Sequence, residues 1–274
     1  MPDDEPTWSW DPSLYAGSAR HYAVGRVAYP PTMVEALVDA LSLDGTGTLL
    51  DVGCGPGSVI LLLAPYVQTA IGVDADPDML HEAARLAGLR GIDNVEWRRL
   101  RAEQLPADLP PARVITLAQS FHWMDRPRVA GILRTMLEPD GALVHVSAET
   151  HEGDDPGDVA APPWAAVEQL VARYLGPRRR AGQGVRPPGR SDENTIYRQA
   201  GFHGPQSITV PGWRVQRGVD QIVAALHSLS WAAPHLFGDR LEDFDAELRA
   251  LLVDSAPDGR FSETMRPIRL DLWR

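Results

Sequence analysis

Lysine is missing from this chain: all 26 basic residues are arginine, set against 37 acidic ones for a formal charge of −11. A chain without lysine cannot use an amine nucleophile, a Schiff base or a P-loop lysine. Cysteine occurs once, as Cys54, which excludes an intrachain disulfide and any CxxC metal or redox site. The eight histidines are dispersed and form no HExxH pattern, so no metal site is expected. No apolar run approaches the roughly 18 residues that a membrane helix needs. The first thirty residues carry Asp3, Asp4 and Glu5 where a secretory leader needs a basic start and an apolar block. A cytoplasmic protein is therefore expected. Its negative charge makes nucleic acid and anionic membranes poor partners, because both rely on a positive field.

At about 150 residues per domain, 274 residues favour one large α/β domain or one domain carrying an insertion. Residues 47–150 alternate short β-rich runs with amphipathic stretches, as the βα units of a parallel sheet do. Strands are expected at 48–52, 69–74, 95–97, 114–118 and 142–147. Asp76-Pro77 reads as an N-cap with proline at the first helical position. Asp125 and Pro127 start another helix, which Pro139-Asp140-Gly141 should end. Residues 1–46 hold two helices (13–23 and 31–41) and read as an N-terminal cap segment. Residues 151–274 read as a substrate cap plus C-terminal strands of the same domain, with a helical region at about 219–252. The alternating run Ile268 to Trp273 suggests an antiparallel edge hairpin with one solvated face. Arg178, Arg179, Arg180, Arg186 and Arg190 form a positive stretch, read either as a solvated loop or as a lid drawing in an anionic substrate.

The sharpest local signal is Asp51-Val-Gly53-Cys-Gly55-Pro-Gly57, placed after a strand and before a helix. Glycines there let the backbone turn tightly against a ligand. Three features argue against a dinucleotide: the spacing is GxGxG, an acid, Asp51, precedes the first glycine, and Pro56 removes an N–H donor that a pyrophosphate would use. A lysine-free chain also lacks the tyrosine–lysine pair of many nicotinamide oxidoreductases. Asp74, at the tip of the second strand, is placed to accept both hydroxyls of a ribose. Cys54 reads as packing near the nucleoside and His145 as a core residue.

Two further phrases follow in order, Arg101-Ala102-Glu103-Gln104-Leu105-Pro106 and Ala118-Gln119-Ser120-Phe121-His122-Trp123-Met124-Asp125. With them, residues 15–149 resemble the class I S-adenosylmethionine-dependent methyltransferases, specifically a small-molecule subgroup similar to trans-aconitate methyltransferase. The resemblance implies a Rossmann-like, doubly wound, seven-stranded sheet: five parallel strands plus a C-terminal antiparallel pair, with a helical cap. It implies S-adenosyl-L-methionine as cofactor and direct transfer of methyl to an oxygen, carboxylate or hydroxyl, of a small organic acceptor. The alternatives are N- or C-methylation of a specialised metabolite, or a non-catalytic cofactor-binding protein serving a partner.

Residue by residue, the resemblance implies that Asp51, Gly53, Gly55 and Gly57 lie under the methionine and ribose. Asp74 holds the ribose, Met79, Ala102 and Glu103 surround the adenine, and Gln119 lies near the methionine. Arg26, within Tyr22-Ala-Val-Gly-Arg26-Val-Ala-Tyr29-Pro30, is placed to clamp the cofactor carboxylate, although Val27 stands where the subgroup has proline. His122 is either a general base or a loop-orienting residue. Tyr15, Tyr22, Trp123 and Trp231 are the candidates for the acceptor side.

Overall fold

The computed structural model describes residues 11–157, 159–177, 180–181, 184–185 and 193–274, with backbone alone at 180, 181, 184 and 185. The aliphatic runs of the central stretch become strands β1 (Thr48–Val52), β2 (Thr69–Asp74), β3 (Val95–Arg99), β4 (Ala112–Ala118) and β5 (Leu137–Ser147). These pair in parallel. Strands β8 (Gln206–Val210) and β11 (Ile268–Trp273) extend the sheet, and its order is β3-β2-β1-β4-β5-β11-β8. β11 runs antiparallel to both of its neighbours.

The two-residue period of a strand sorts its side chains onto two faces. Leu49 joins one apolar cluster with Met33 and Leu37 of α2 (Pro31–Leu41), Ile60 of α3 (Ile60–Leu63) and Leu80 of α4 (Pro77–Arg90). Leu50 joins the opposite cluster with Val129 and Leu133 of α5 (Arg126–Met136) and Tyr197 of α7 (Glu193–Gln199). Helix α4 begins as expected: the Asp76 side chain accepts from the N–H groups of Asp78 (2.8 Å) and Met79 (3.3 Å), and αL Gly91 ends it.

A third apolar cluster lies apart from the sheet. It joins Val167 and Leu170 of α6 (Trp164–Leu175), Ile222 and Leu226 of α8 (Val219–His227), and Phe244 and Leu248 of α9 (Leu241–Ser255). Beside it runs a hairpin of β9 (Arg214–Gly218) and β10 (Arg260–Thr264). Two-residue strands β6 (Arg180–Ala181) and β7 (Gly184–Val185) pair with each other. Helix α1 (Ala19–Gly25) packs on α8 so closely that a Cβ at Gly25 would collide with the Ala225 backbone. No helix among the described residues is long and apolar enough to cross a membrane.

Four expectations change. β11 is not an edge strand with a solvated face: it lies between β5 and β8, and Leu270 to Trp273 are all buried. Its polar position is tolerated because Asp271 accepts from Ser207 Oγ (2.6 Å) and pairs with Arg269 (2.9 Å). After α5 the chain enters β5 at once, and Pro139-Asp140-Gly141 falls in the irregularity between the Ala112↔Leu137 and Val114↔Ala142 pairs. Of residues 13–23 only those from Ala19 onward are helical. The 219–252 region breaks after His227 into turns that include Pro234–Leu236 and Gly238–Arg240. Arg178, Arg179, Arg186 and Arg190, with the side chain of Arg180, lie outside the described residues, and so does the lid reading built on them.

Candidate active site

From β1 the chain winds outward through β2 and β3, then returns to β4 on the other side of β1. A crevice opens where the winding reverses, at the carboxyl ends of the strands. A cavity of about 1450 Å³, its open mouth included, occupies this place. Its sheet-side wall is made of strand tips: Asp51 at the end of β1 and Gly53 to Gly57 after it, Asp74 ending β2, Ala102 and Glu103 after β3, and Gln119 after β4. Met79 from α4 and Arg26 from the N-terminal segment line it as well. All ten residues proposed for the cofactor therefore border one space.

Local geometry explains their types. Gly53 sits at φ +68°, and a side chain there would run into Ser120. Its N–H and that of Cys54 both donate to Val73 O (2.8 and 3.0 Å), folding the loop back over β2. Asp51 is fully buried beneath the loop. It accepts from Thr116 Oγ1 at 2.7 Å and from the Ile60 N–H, so it ties β1 to β4 and to the start of α3. Burial pushes its carboxyl up to about 7, against these two bonds. Asp74 accepts from the N–H groups of Gly55 (2.8 Å) and Asp76 (2.9 Å). Burial nonetheless raises it to about 6. Cys54 is buried, and burial raises its thiol as well, so it packs and does not attack.

Glu103 lines the cavity and also accepts from the Asp125 N–H at 2.9 Å. That bond joins the turn after β3 to the start of α5. Gln119 adopts φ +56°, a left-handed conformation in a residue other than glycine. This turn divides the cavity from a smaller one on its far side.

Of the residues expected to face the acceptor, Tyr15, Tyr22 and Trp123 line the main cavity, and Tyr15 meets Trp123 edge to face at 6.1 Å. Trp231 does not line it: this residue packs against the apolar cluster of the cap. His122 does not line it either. It borders the smaller cavity with His145, Glu193 and Arg266, and its ring packs against that of Trp123, with centroids 4.7 Å apart. His145 is buried, with Nδ1 at 2.8 Å from Tyr197 Oη.

The sequence reading gave no part in the cofactor site to Tyr29, Thr150 or Ser228. Tyr29 and Thr150 line the main cavity. Ser228 and Thr150 hold Arg26: Nε donates to Ser228 Oγ (2.7 Å), Nη2 to Ser228 O (3.2 Å) and Nη1 to Thr150 Oγ1 (3.5 Å). The guanidinium lies over the Tyr22 ring at 4.7 Å. Tyr29 was signalled by its Tyr-Pro pair. Thr150 and Ser228 carry no local signal, because their role is set by a residue 124 or 202 positions away.

A sequence profile described as "Methyltransferase domain" matches residues 49–141. The uncharacterized methyltransferase YcgJ of Bacillus subtilis is 33% identical over 99 residues, covering 36% of this chain and 39% of that protein. Trans-aconitate 2-methyltransferase of Streptomyces coelicolor is 29% identical, over 60% of this chain and 71% of that protein. The chain spans about half the length of most of the curated relatives it matches. In fold it is similar to the crystal structure of YcgJ, with a TM-score of 0.53 at 19% identity over 89% of this chain and 99% of that one. The matched stretch spans the strand tips that form the sheet-side wall, from β1 to the start of β5. Over residues 49–141, then, the chain is similar to a methyltransferase domain.

Proposed function

We propose that the protein is a cytoplasmic methyltransferase that moves the methyl group of S-adenosylmethionine onto an oxygen of a small organic acceptor, with carboxylates favoured over hydroxyls. The donor set around the cavity supports the cofactor. A partly buried carboxylate, Asp74, and a guanidinium, Arg26, face one space, and Arg26 has no carboxylate partner among the described residues. These suit the ribose hydroxyls at one end and the amino-acid carboxylate at the other. Met79 and Ala102 supply apolar and backbone surface for the adenine.

When bound, the cofactor supplies a methyl carbon on a positively charged sulfur. The chain's own task is alignment, because holding the acceptor at near-attack distance removes a large entropic barrier. Tyr15, Tyr22 and Trp123 wall the acceptor side and exclude water.

The single observation that carries the carboxylate reading is the lack of a free base in the wall. Among the described residues, no histidine lines the cavity. Asp51, Asp74 and Glu103 already accept hydrogen bonds from the protein. Burial raises the hydroxyls of Tyr15 and Tyr29 above the usual phenol range. A nucleophile that arrives already ionised needs no proton removed, and its negative charge is cancelled as the sulfur loses its positive one.

Calorimetry with S-adenosylmethionine, S-adenosylhomocysteine and NAD, followed by a mass-scored screen of carboxylic acids, phenols and amines, tests the reading. Binding of the first two ligands and methyl esters among the products are expected. NAD binding without the others, or methylated amines alone, would overturn it.

A further inference from the structure

We infer that Ser228, at the end of the cap helix α8, is the positioning residue that presents Arg26 to the cofactor carboxylate. The inference rests on the reading of Arg26 given above and extends it to a residue with no place in the cavity wall.

The geometry is specific. Ser228 is fully buried. Its hydroxyl accepts from Arg26 Nε and donates to Ala225 O at 2.6 Å, so it cannot rotate without losing a bond. Its carbonyl takes a second guanidinium hydrogen, on Nη2. The Nε/Nη2 edge, the usual side-on edge for a carboxylate, is therefore used by the protein. Nη1 and the remaining Nη2 hydrogen are what the residue has left for a ligand. Thr150 Oγ1, at 3.5 Å from Nη1, is the weaker partner.

The backbone around Arg26 is fixed from the same direction. Gly25 O accepts from Arg217 Nη1 at 3.3 Å, and Val27 N–H donates to Thr150 O at 2.7 Å. Ser18 Oγ donates to His227 O at 2.8 Å, joining the start of α1 to the end of α8. A long arginine side chain loses much rotamer freedom when it is held. With Ser228 in place, that loss is met during folding and not on binding.

The test separates the carboxylate end of the ligand from the nucleoside end. Binding of S-adenosylhomocysteine, which has the amino-acid carboxylate, is compared by calorimetry with binding of 5′-methylthioadenosine, which lacks it. Ser228→Ala should weaken the first by about tenfold, the size of one hydrogen bond to a charged group, and leave the second unchanged. Arg26→Met should do the same to a larger extent, the double variant should add nothing to Arg26→Met, and Ser228→Thr should restore part of the loss. Binding of 5′-methylthioadenosine reports whether each variant is folded. Full S-adenosylhomocysteine affinity in Ser228→Ala, with a loss in Arg26→Met, would overturn the positioning role while leaving Arg26 in place. Equal weakening of both ligands by Ser228→Ala would make its role merely structural. Unchanged affinity in Arg26→Met would remove the reading on which the inference stands.

Discussion

The sheet side of the cavity and the helical region beyond it are built by different physics. The sheet-side wall consists of strand tips whose positions follow from two apolar clusters sandwiching β1 to β5, and its polar residues sit at those tips or in the turns that follow them. The cap side has its own apolar cluster, but a buried ionic knot fastens it to the rest. Arg217 and Glu263 form an ion pair through both Nε and Nη2 of the arginine, and both residues are almost completely buried. Glu263 also accepts from the Gly153 N–H and Trp164 Nε1, each at 2.8 Å. Arg217 donates to Gly25 O and His151 O. One pair thus joins β9, β10, the segment after β5, α6 and the end of α1. The difference teaches that burial of oil fixes a parallel sheet, whereas placing a cap over it takes a few directional bonds.

The largest test breaks the knot. Removing one partner of a buried ion pair costs about 3–5 kcal/mol, because the other charge is left stranded. Glu263→Ala should therefore lower thermal stability by that order and expose residues 151–164 to protease before the sheet. Equal protection throughout would mean that the cap is held by its apolar cluster alone.

A middle-sized effect probes the sheet-side wall. Asp74→Ala should weaken S-adenosylhomocysteine binding by about 1–3 kcal/mol, the worth of hydrogen bonds to a charged group. Since burial raises Asp74 to about 6 and the ionised form is the acceptor, affinity should fall as pH drops through that value, and Asp74→Asn should abolish the dependence. The same burial acts on folding. Asp51, raised to about 7, and Asp74 bind protons more tightly in the folded chain than in the unfolded one. Their contribution to stability is present below the ordinary carboxylate value of about 4 and is lost as pH rises through 6 to 7. Ligand-free protein should melt higher at about pH 5 than at about pH 8, and Asp51→Asn should flatten that slope.

The smallest effect expected is that of His122→Asn. A general base contributes about 10²–10⁴ in rate, and His122 lies outside the main cavity, so turnover should stay within about twofold with an unchanged pH profile. A hundredfold loss would return that residue to the chemistry.

The two regions were unequally legible. Strand starts, the Asp76 cap and the glycine turn are local consequences of β-branched runs, proline and αL geometry, so a window of ten residues suffices to find them. The alternating run at 268–273 misled because periodicity reports which side chains are buried, not what buries them. An interior antiparallel strand and an edge strand differ only in a neighbour supplied from elsewhere, here β8. Ser228, Thr150, Arg217 and Glu263 look like ordinary surface residues until the fold brings them to Arg26 and Gly25.

The span between Arg26 and its holders also sets an order of assembly during synthesis. Arg26 is made well before its holders: Ser228 comes 202 residues later and Glu263 later still. A nascent chain long enough to form the glycine turn and display Asp74 still has an arginine with nothing to hold it. The hold on Arg26 is therefore complete only once Ser228 and the Arg217–Glu263 pair behind Gly25 have been made.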